Sequence, residues 1–206
     1  MILFFGDSLT SGENNQFKSY VDYLGLNDYI NYGVSGTTLD DYSLYPVGKT
    51  DLYNLLQENK SQLAQAESIF IEYGVNDISS VVSKYTTIER VICSLIKCID
   101  FIKQNSSAKI NFILIGNNKK SIDLFAKNQI NYLKKDYLKS TNIHLSKYKW
   151  IKNYDRFASI VKNNRDLNVY YLYEGEYPSN LIDADGIHPT DTGYKIIASN
   201  IRKDIL

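Results

Sequence analysis

Apolar residues along this chain follow two alternating rhythms. Residues 2–5 form an unbroken apolar run that stops at Gly6, the pattern of a strand buried on both faces. Residues 29–32 closed by Gly33, 68–73 closed by Gly74 and 109–115 closed by Gly116 repeat it, and 168–173 forms a fifth run. Between the runs, apolar side chains return every three or four positions. Ile88, Val91, Ile92, Leu95, Ile96, Ile99 and Ile102 make the clearest such stripe and predict a helix over 88–102. Shorter or less regular stripes predict helices over 17–26, 52–66, 122–138, 150–161 and 191–205, whereas 143–150 fits neither rhythm.

Strand and helix therefore alternate from end to end. Strands without polar alternation, separated by helices, imply an α/β fold with a five-stranded parallel sheet and helices on both faces. No repeat or linker divides the chain, and its 206 residues suit a single domain over 1–206. In such a sheet ligands bind beyond the carboxyl ends of the strands. The segments after Phe5, Tyr32 and Tyr73, and the loop after the fifth strand, are thus expected to converge on one rim.

Composition narrows the partners. Lys+Arg and Asp+Glu both number 23, so the formal net charge is zero. A general nucleic-acid binder would draw its affinity from an excess of basic residues, so none is expected here. Only four apolar residues separate Met1 from Gly6, too few for a secretory signal, and no stretch reaches the ~20 apolar residues of a membrane span. A cytoplasmic location is the expectation, with secretion open if a leader has been removed. Cys93 and Cys98 lie five positions apart, in no metal-ligand or CxxC pattern, and both are expected to be small buried side chains. The 18 tyrosines could line a sugar-binding surface, but the general bias of the composition accounts for them as well.

The strand ends carry the chemistry. Ser8 follows the first run in Gly6-Asp7-Ser8-Leu9, and near the other end the chain reads Asp185-Gly186-Ile187-His188-Pro189. A serine hydroxyl becomes a nucleophile only when a base takes its proton. His188 can be that base if Asp185 accepts its Nδ1–H and leaves Nε2 facing Ser8. The other histidine, His144, has no neighbouring acid and reads as structural. An oxyanion formed by attack on an ester needs fixed donors. The Ser8 N–H, the Gly33 N–H and the Asn76 side-chain amide are the candidates, each just past a predicted strand. Asp7 and Asp77 read as braces for those loops. The GxSxG elbow, the Walker-type phosphate loop and a GxGxxG after a strand are all absent.

These segments, in this order, resemble the SGNH hydrolases, also known as the GDSL esterase/lipase family. Gly6-Asp7-Ser8-Leu9, Gly33, Gly74-Val75-Asn76-Asp77 and Asp185-Gly186-Ile187-His188-Pro189 look like its four blocks and span nearly the whole chain. The resemblance implies a flavodoxin-like three-layer α/β/α sandwich and ester hydrolysis without metal or other cofactor. It also implies a Ser8, His188 and Asp185 triad with Ser8, Gly33 and Asn76 as the oxyanion hole. The expected substrate is a small acyl ester, most plausibly an acetyl group on a carbohydrate, with polar tyrosine-containing loops at 39–49 and 173–184 to bind the alcohol. An O-acyltransferase with the same triad, a lysophospholipase or thioesterase acting on lipid esters, and a non-catalytic binding module are the alternatives. The sequence leaves the oligomeric state open.

Overall fold

Each glycine-ended apolar run becomes a strand. The computed structural model describes residues 1–16, 18–41, 50–137, 145–173 and 179–205. Within them β1 (Ile2–Gly6), β2 (Tyr29–Gly33), β3 (Ser68–Glu72), β4 (Lys109–Gly116) and β5 (Leu167–Tyr173) form one sheet in the order β2-β1-β3-β4-β5. Every pairing is parallel. Leu3, Phe4, Phe5, Ile69, Phe70 and Ile71 are all buried, so the central strands need cover on both faces. β2 lies at an edge and is half-buried throughout, which is why its sequence can mix tyrosines with Asn31.

The helices supply the cover. They are α1 (Ser8–Ser11), α2 (Tyr20–Tyr23), α3 (Leu52–Glu58), α4 (Lys60–Gln65), α5 (Val75–Val82), α6 (Ile88–Asn105), α7 (Lys119–Tyr132), α8 (Lys147–Asn163) and α9 (Asp191–Ile205). α2 packs on α9 on one face of the sheet, and α3 to α8 form a connected layer on the other. Right-handed crossovers dictate this division, because the chain moves one way from β1 to β2 and the opposite way thereafter. On the α2/α9 side Phe4 and Phe70 are register partners whose rings stack at 4.9 Å, with the Tyr20 ring edge-on to Phe4 at 6.4 Å. On the other side Trp150 stacks on Tyr154 at 5.2 Å and Phe157 meets Phe112 at 5.9 Å.

Several boundaries differ from the periodic reading. The helix expected over 52–66 is two, because Asn59 leaves helical geometry and its side-chain amide caps Leu55 O at 2.8 Å. That expected over 17–26 shrinks to α2, started by a reciprocal Ser19–Asp22 capping box. α7 begins at its Asn118 cap and runs into a π-helical turn, Leu133–Tyr137. α8 extends beyond 150–161 in both directions from its Ser146 cap. α1 and α5, which periodicity does not reveal, both start directly after strands. Cys98 is buried as expected, but Cys93 is exposed. Five helical positions rotate a side chain by about 140° from the first, so only one of the two can join the apolar stripe. His144 and much of the 39–49 and 173–184 loops fall outside the described residues.

The order 2-1-3-4-5 has its switch point between β1 and β3, where connections leave in opposite directions and open a crevice at the carboxyl ends. Gly74, just past the carboxyl end of β3, has φ +125°, and a Cβ there would lie 2.7 Å from Phe157 Cε1. Phe157 is fully buried and supports the rim from below. Phe157→Ala should cost about 3–5 kcal/mol, seen in urea titration as a lower midpoint at unchanged slope.

Candidate active site

At the end of β1 the chain turns at once into α1. Asp7 caps this helix: its Oδ1 accepts the Leu9 N–H at 3.0 Å, and its backbone carbonyl accepts Thr10 N–H at 3.2 Å and Ser11 N–H at 2.9 Å. Those bonds take up the later amides of the turn. The Ser8 N–H is the first of the amides that a helix does not satisfy internally. Gly12, at φ +70°, closes the helix, so Ser8 is held by a cap on each side.

The second arm comes from the loop before α9. Ile182 and Pro189 form an antiparallel bridge, and Asp183 N–H donates to His188 O at 2.7 Å. Gly186, at φ +77°, lets the chain reverse between them. Asp185 Oδ1 accepts Ile187 N–H at 2.8 Å and His188 N–H at 3.0 Å, and its Oδ2 lies 2.5 Å from His188 Nδ1. His188 Nε2 is 2.8 Å from Ser8 Oγ. Tyr132, from α7, sets its ring edge-on to the imidazole at 6.4 Å. Partial burial pushes the Asp185 carboxyl up, but its bonds to the His188 ring and to the two amides outweigh this and hold it below the ordinary carboxylate range. A carboxylate so held fixes the tautomer with Nε2 facing Ser8.

The third arm is the start of α5. Asn76 is buried, and its Nδ2 donates to Thr37 O at 3.0 Å and to Asp7 Oδ2 at 3.1 Å. Asp77 ties two loops together: Oδ1 accepts Leu39 N–H at 2.9 Å and Oδ2 accepts Gly74 N–H at 3.1 Å. Asp7 and Asp77 thus brace the rim.

Gly33 is placed differently from the expectation. It is the last residue of β2 rather than the first of the loop, and its N–H donates to Asn31 Oδ1 at 2.9 Å. A Cβ on it would lie 2.5 Å from Ser11 N, so the position is glycine because the Ser8–Ser11 turn rests on it. The loop glycine is Gly36, buried at φ +74° in a turn closed by Thr37 N–H to Val34 O at 3.3 Å. Val34 N–H donates to Gly6 O at 2.9 Å, which pins this turn beside Asp7 and Ser8.

Below Ser8 lies a group that the strand pattern passes over. Glu72 ends β3 and pairs in register with Gly6. A Cβ on Gly6 would lie 2.0 Å from Thr10 Oγ1, so Thr10 occupies the space beside Glu72 and donates to its Oε2 at 3.1 Å. Tyr20 OH is 3.1 Å from the same Thr10 oxygen. Glu72 and Asp7 are both 1% exposed and are hydrogen-bonded to each other. Burial first, then the neighbouring Asp7 charge, raises the Glu72 carboxyl well above its ordinary value. Burial raises Asp7 to about 6 against the lowering effect of its bonds to Leu9 and Glu72. The only sequence signal for this pair is an acid closing an otherwise apolar strand.

A groove of about 390 Å³ runs beside α1, bounded by Ser11, Asp22, Asn31, Gly33, Val34 and Ser35. Among the described residues no cluster of three or more His, Cys, Asp or Glu side chains is placed to hold a metal ion, and no helix is long and apolar enough to cross a membrane.

The family model of the GDSL-like lipases/acylhydrolases matches residues 2–201. No curated protein sequence matches. Solved structures similar in fold include a lipolytic protein of the G-D-S-L family from Veillonella parvula, 18% identical, covering 98% of this chain and 96% of its own, TM-score 0.60. The psychrotrophic esterase EstA of Pseudoalteromonas sp. is 16% identical, with 99% and 95% covered and TM-score 0.64. A carbohydrate acetylesterase family member from Sinorhizobium meliloti is 12% identical, with 99% and 96% covered and TM-score 0.61.

The contact between Gly33 and α1 can be tested directly. Gly33→Ala should move the Ser11 backbone and with it Ser8, lowering kcat for p-nitrophenyl acetate by about tenfold or more, as small misplacements of reacting groups do. Its far-ultraviolet circular dichroism should stay that of the wild type.

Proposed function

Since this chain belongs to the GDSL-like lipase/acylhydrolase family and is a carboxylic ester hydrolase, we propose that it cleaves small acyl esters, O-acetyl groups on carbohydrates foremost, through an acyl-enzyme on Ser8. The observation that carries the reading is the unbroken chain from Ser8 Oγ to His188 Nε2 at 2.8 Å and from His188 Nδ1 to Asp185 Oδ2 at 2.5 Å.

In this reading Ser8 Oγ attacks the ester carbonyl while His188 Nε2 takes its proton. Asp185 stays ionised and stabilises the imidazolium. The tetrahedral oxyanion is met by the Ser8 N–H, by Asn76 Nδ2 and by the 34–37 turn, with Gly36 the amide contributor there in place of Gly33. Asn76 Nδ2 is held by Thr37 O at 3.0 Å and Asp7 Oδ2 at 3.1 Å, and turns one of these hydrogens towards the oxyanion as it forms. The imidazolium then protonates the leaving alcohol. Water attacks the acyl-enzyme with His188 again as base, and Ser8 is regenerated.

Ser11, Asp22, Asn31 and Ser35 line the groove beside α1 together with Gly33 and Val34, and supply polar groups for a small alcohol. The fold similarity to a carbohydrate acetylesterase family member agrees with it.

Ser8→Ala should abolish turnover of p-nitrophenyl acetate and labelling by a fluorophosphonate while the thermal transition persists. Asn76→Ala should lower kcat by roughly 10²–10³, the cost of one oxyanion donor. Full activity in Asn76→Ala would remove the α5 arm from the mechanism. On the substrate side, acetate esters should be cleaved with a higher kcat/KM than octanoate esters, and acetylated sugars should release acetate. A clear preference for octanoate would exclude the small-acyl reading.

A further inference from the structure

The site described above does not use Glu72, yet Glu72 is one of its closest buried neighbours. It accepts from Thr10 Oγ1 at 3.1 Å and from the Asp7 backbone N–H, and it shares a hydrogen bond with the Asp7 carboxyl. Thr10 has one hydroxyl proton. Because that proton goes to Glu72, the Tyr20 hydroxyl must be the donor to Thr10. Two carboxyl groups in direct contact and out of water cannot both be ionised, so the pair holds a proton. Asp7 already accepts from Leu9 N–H and from Asn76 Nδ2, bonds that favour an anion. Asp7 also caps the N-terminus of α1, where an anion is favoured, whereas Glu72 closes a strand and accepts from the Thr10 hydroxyl and the Asp7 backbone N–H. The other titratable side chains around the pair are Tyr20, Tyr73, Tyr154 and Tyr194, with His188 beyond Asp7. Among the described residues none of these neighbours is a Lys or Arg.

We infer that Glu72 is a positioning residue that works as a neutral acid, donating its proton to the Asp7 carboxylate so that Asp7 can hold the nucleophile turn and Asn76 at fixed separation. The inference rests on the assignment of Ser8 and Asn76 given above. Its logic is mechanical. The Asp7 side chain is bonded both to α1, through Leu9 N–H, and to α5, through Asn76. Ionising Glu72 would set two buried like charges against each other, and the displaced one would carry an oxyanion donor with it. This gives β1 and β3 a shared latch just below the rim, one strand contributing the anion and the other the proton.

The test compares E72Q with E72L. The carboxamide of E72Q can donate to Asp7 and accept from Thr10 at every pH, as the neutral acid does. E72L can do neither. In p-nitrophenyl acetate hydrolysis E72Q should keep kcat within about threefold of wild type, whereas E72L should lose about 10–100-fold in kcat with KM little changed. A second readout does not depend on activity. Wild-type unfolding releases the Glu72 proton once the pH exceeds the free-chain value near ~4.3. The stabilisation from this group is therefore fully present below that value and is lost as pH rises towards the raised folded value. The carboxamide of E72Q releases no proton. The Tm of E72Q relative to wild type should therefore increase steadily from about pH 5 to about pH 8. A Tm difference flat in pH would show Glu72 ionised in the folded protein and overturn the inference. So would E72Q falling as far as E72L, or E72L retaining full kcat. Fluorophosphonate labelling of wild type and E72Q separates the two levels: an unlabelled wild-type Ser8 would overturn the site assignment itself, while labelled Ser8 with a flat Tm difference overturns only the role of Glu72.

Discussion

The rim of this protein hangs on one buried carboxyl group. Asp7 caps α1 through Leu9 N–H, reaches across the switch point to Asn76 on α5, and meets Glu72 at the end of β3. Without it the turn that carries Ser8 and the turn that carries Asn76 would lose their direct side-chain link and depend on the sheet below them. A buried carboxylate is costly unless its lone pairs are taken, and here the amides and the neighbouring acid take them. The bonds that make the burial tolerable are the same bonds that align the two turns.

The framework is legible because burial on both faces forces strands to be unbroken apolar runs, and the glycines after them mark where the backbone must turn sharply. The Ser8 and Asp185–His188 segments are legible for a chemical reason, since few other residue sets can activate a hydroxyl. Other features depend on through-space contacts that a one-dimensional pattern does not carry. Gly33 looks like a loop glycine in sequence, yet it is a packing surface for Ser11. Glu72 looks like an ordinary strand end, yet it faces Thr10 because Gly6 beside it has no side chain. The break at Asn59 is a side-chain cap competing with continued helix. Cys93 escapes the core because sharing a helix with Cys98 does not mean sharing a face.

Membership in the GDSL-like lipase/acylhydrolase family and the 2-1-3-4-5 sheet agree on where a ligand goes: the crevice between the ends of β1 and β3. At identities of 12–18% the solved relatives speak for the fold alone. The chemistry proposed for this chain therefore stands on its own atoms. Those atoms divide the work among elements. His188 and Asp185 sit on a single loop stiffened by the Ile182–Pro189 bridge, whereas Ser8 and Asn76 follow two different strands and are braced by Asp7 and Asp77.

Ser8 and His188 are 180 positions apart in the chain, the first at the start of the sheet and the second beyond its last strand. Closing a loop of that length is entropically costly, and nothing local offsets it. A partly folded chain with β1, β3 and their helices in place would have the Ser8 turn without His188. The Ser8–His188 contact is accordingly a report on the whole fold: only a molecule whose two ends have found each other can carry it.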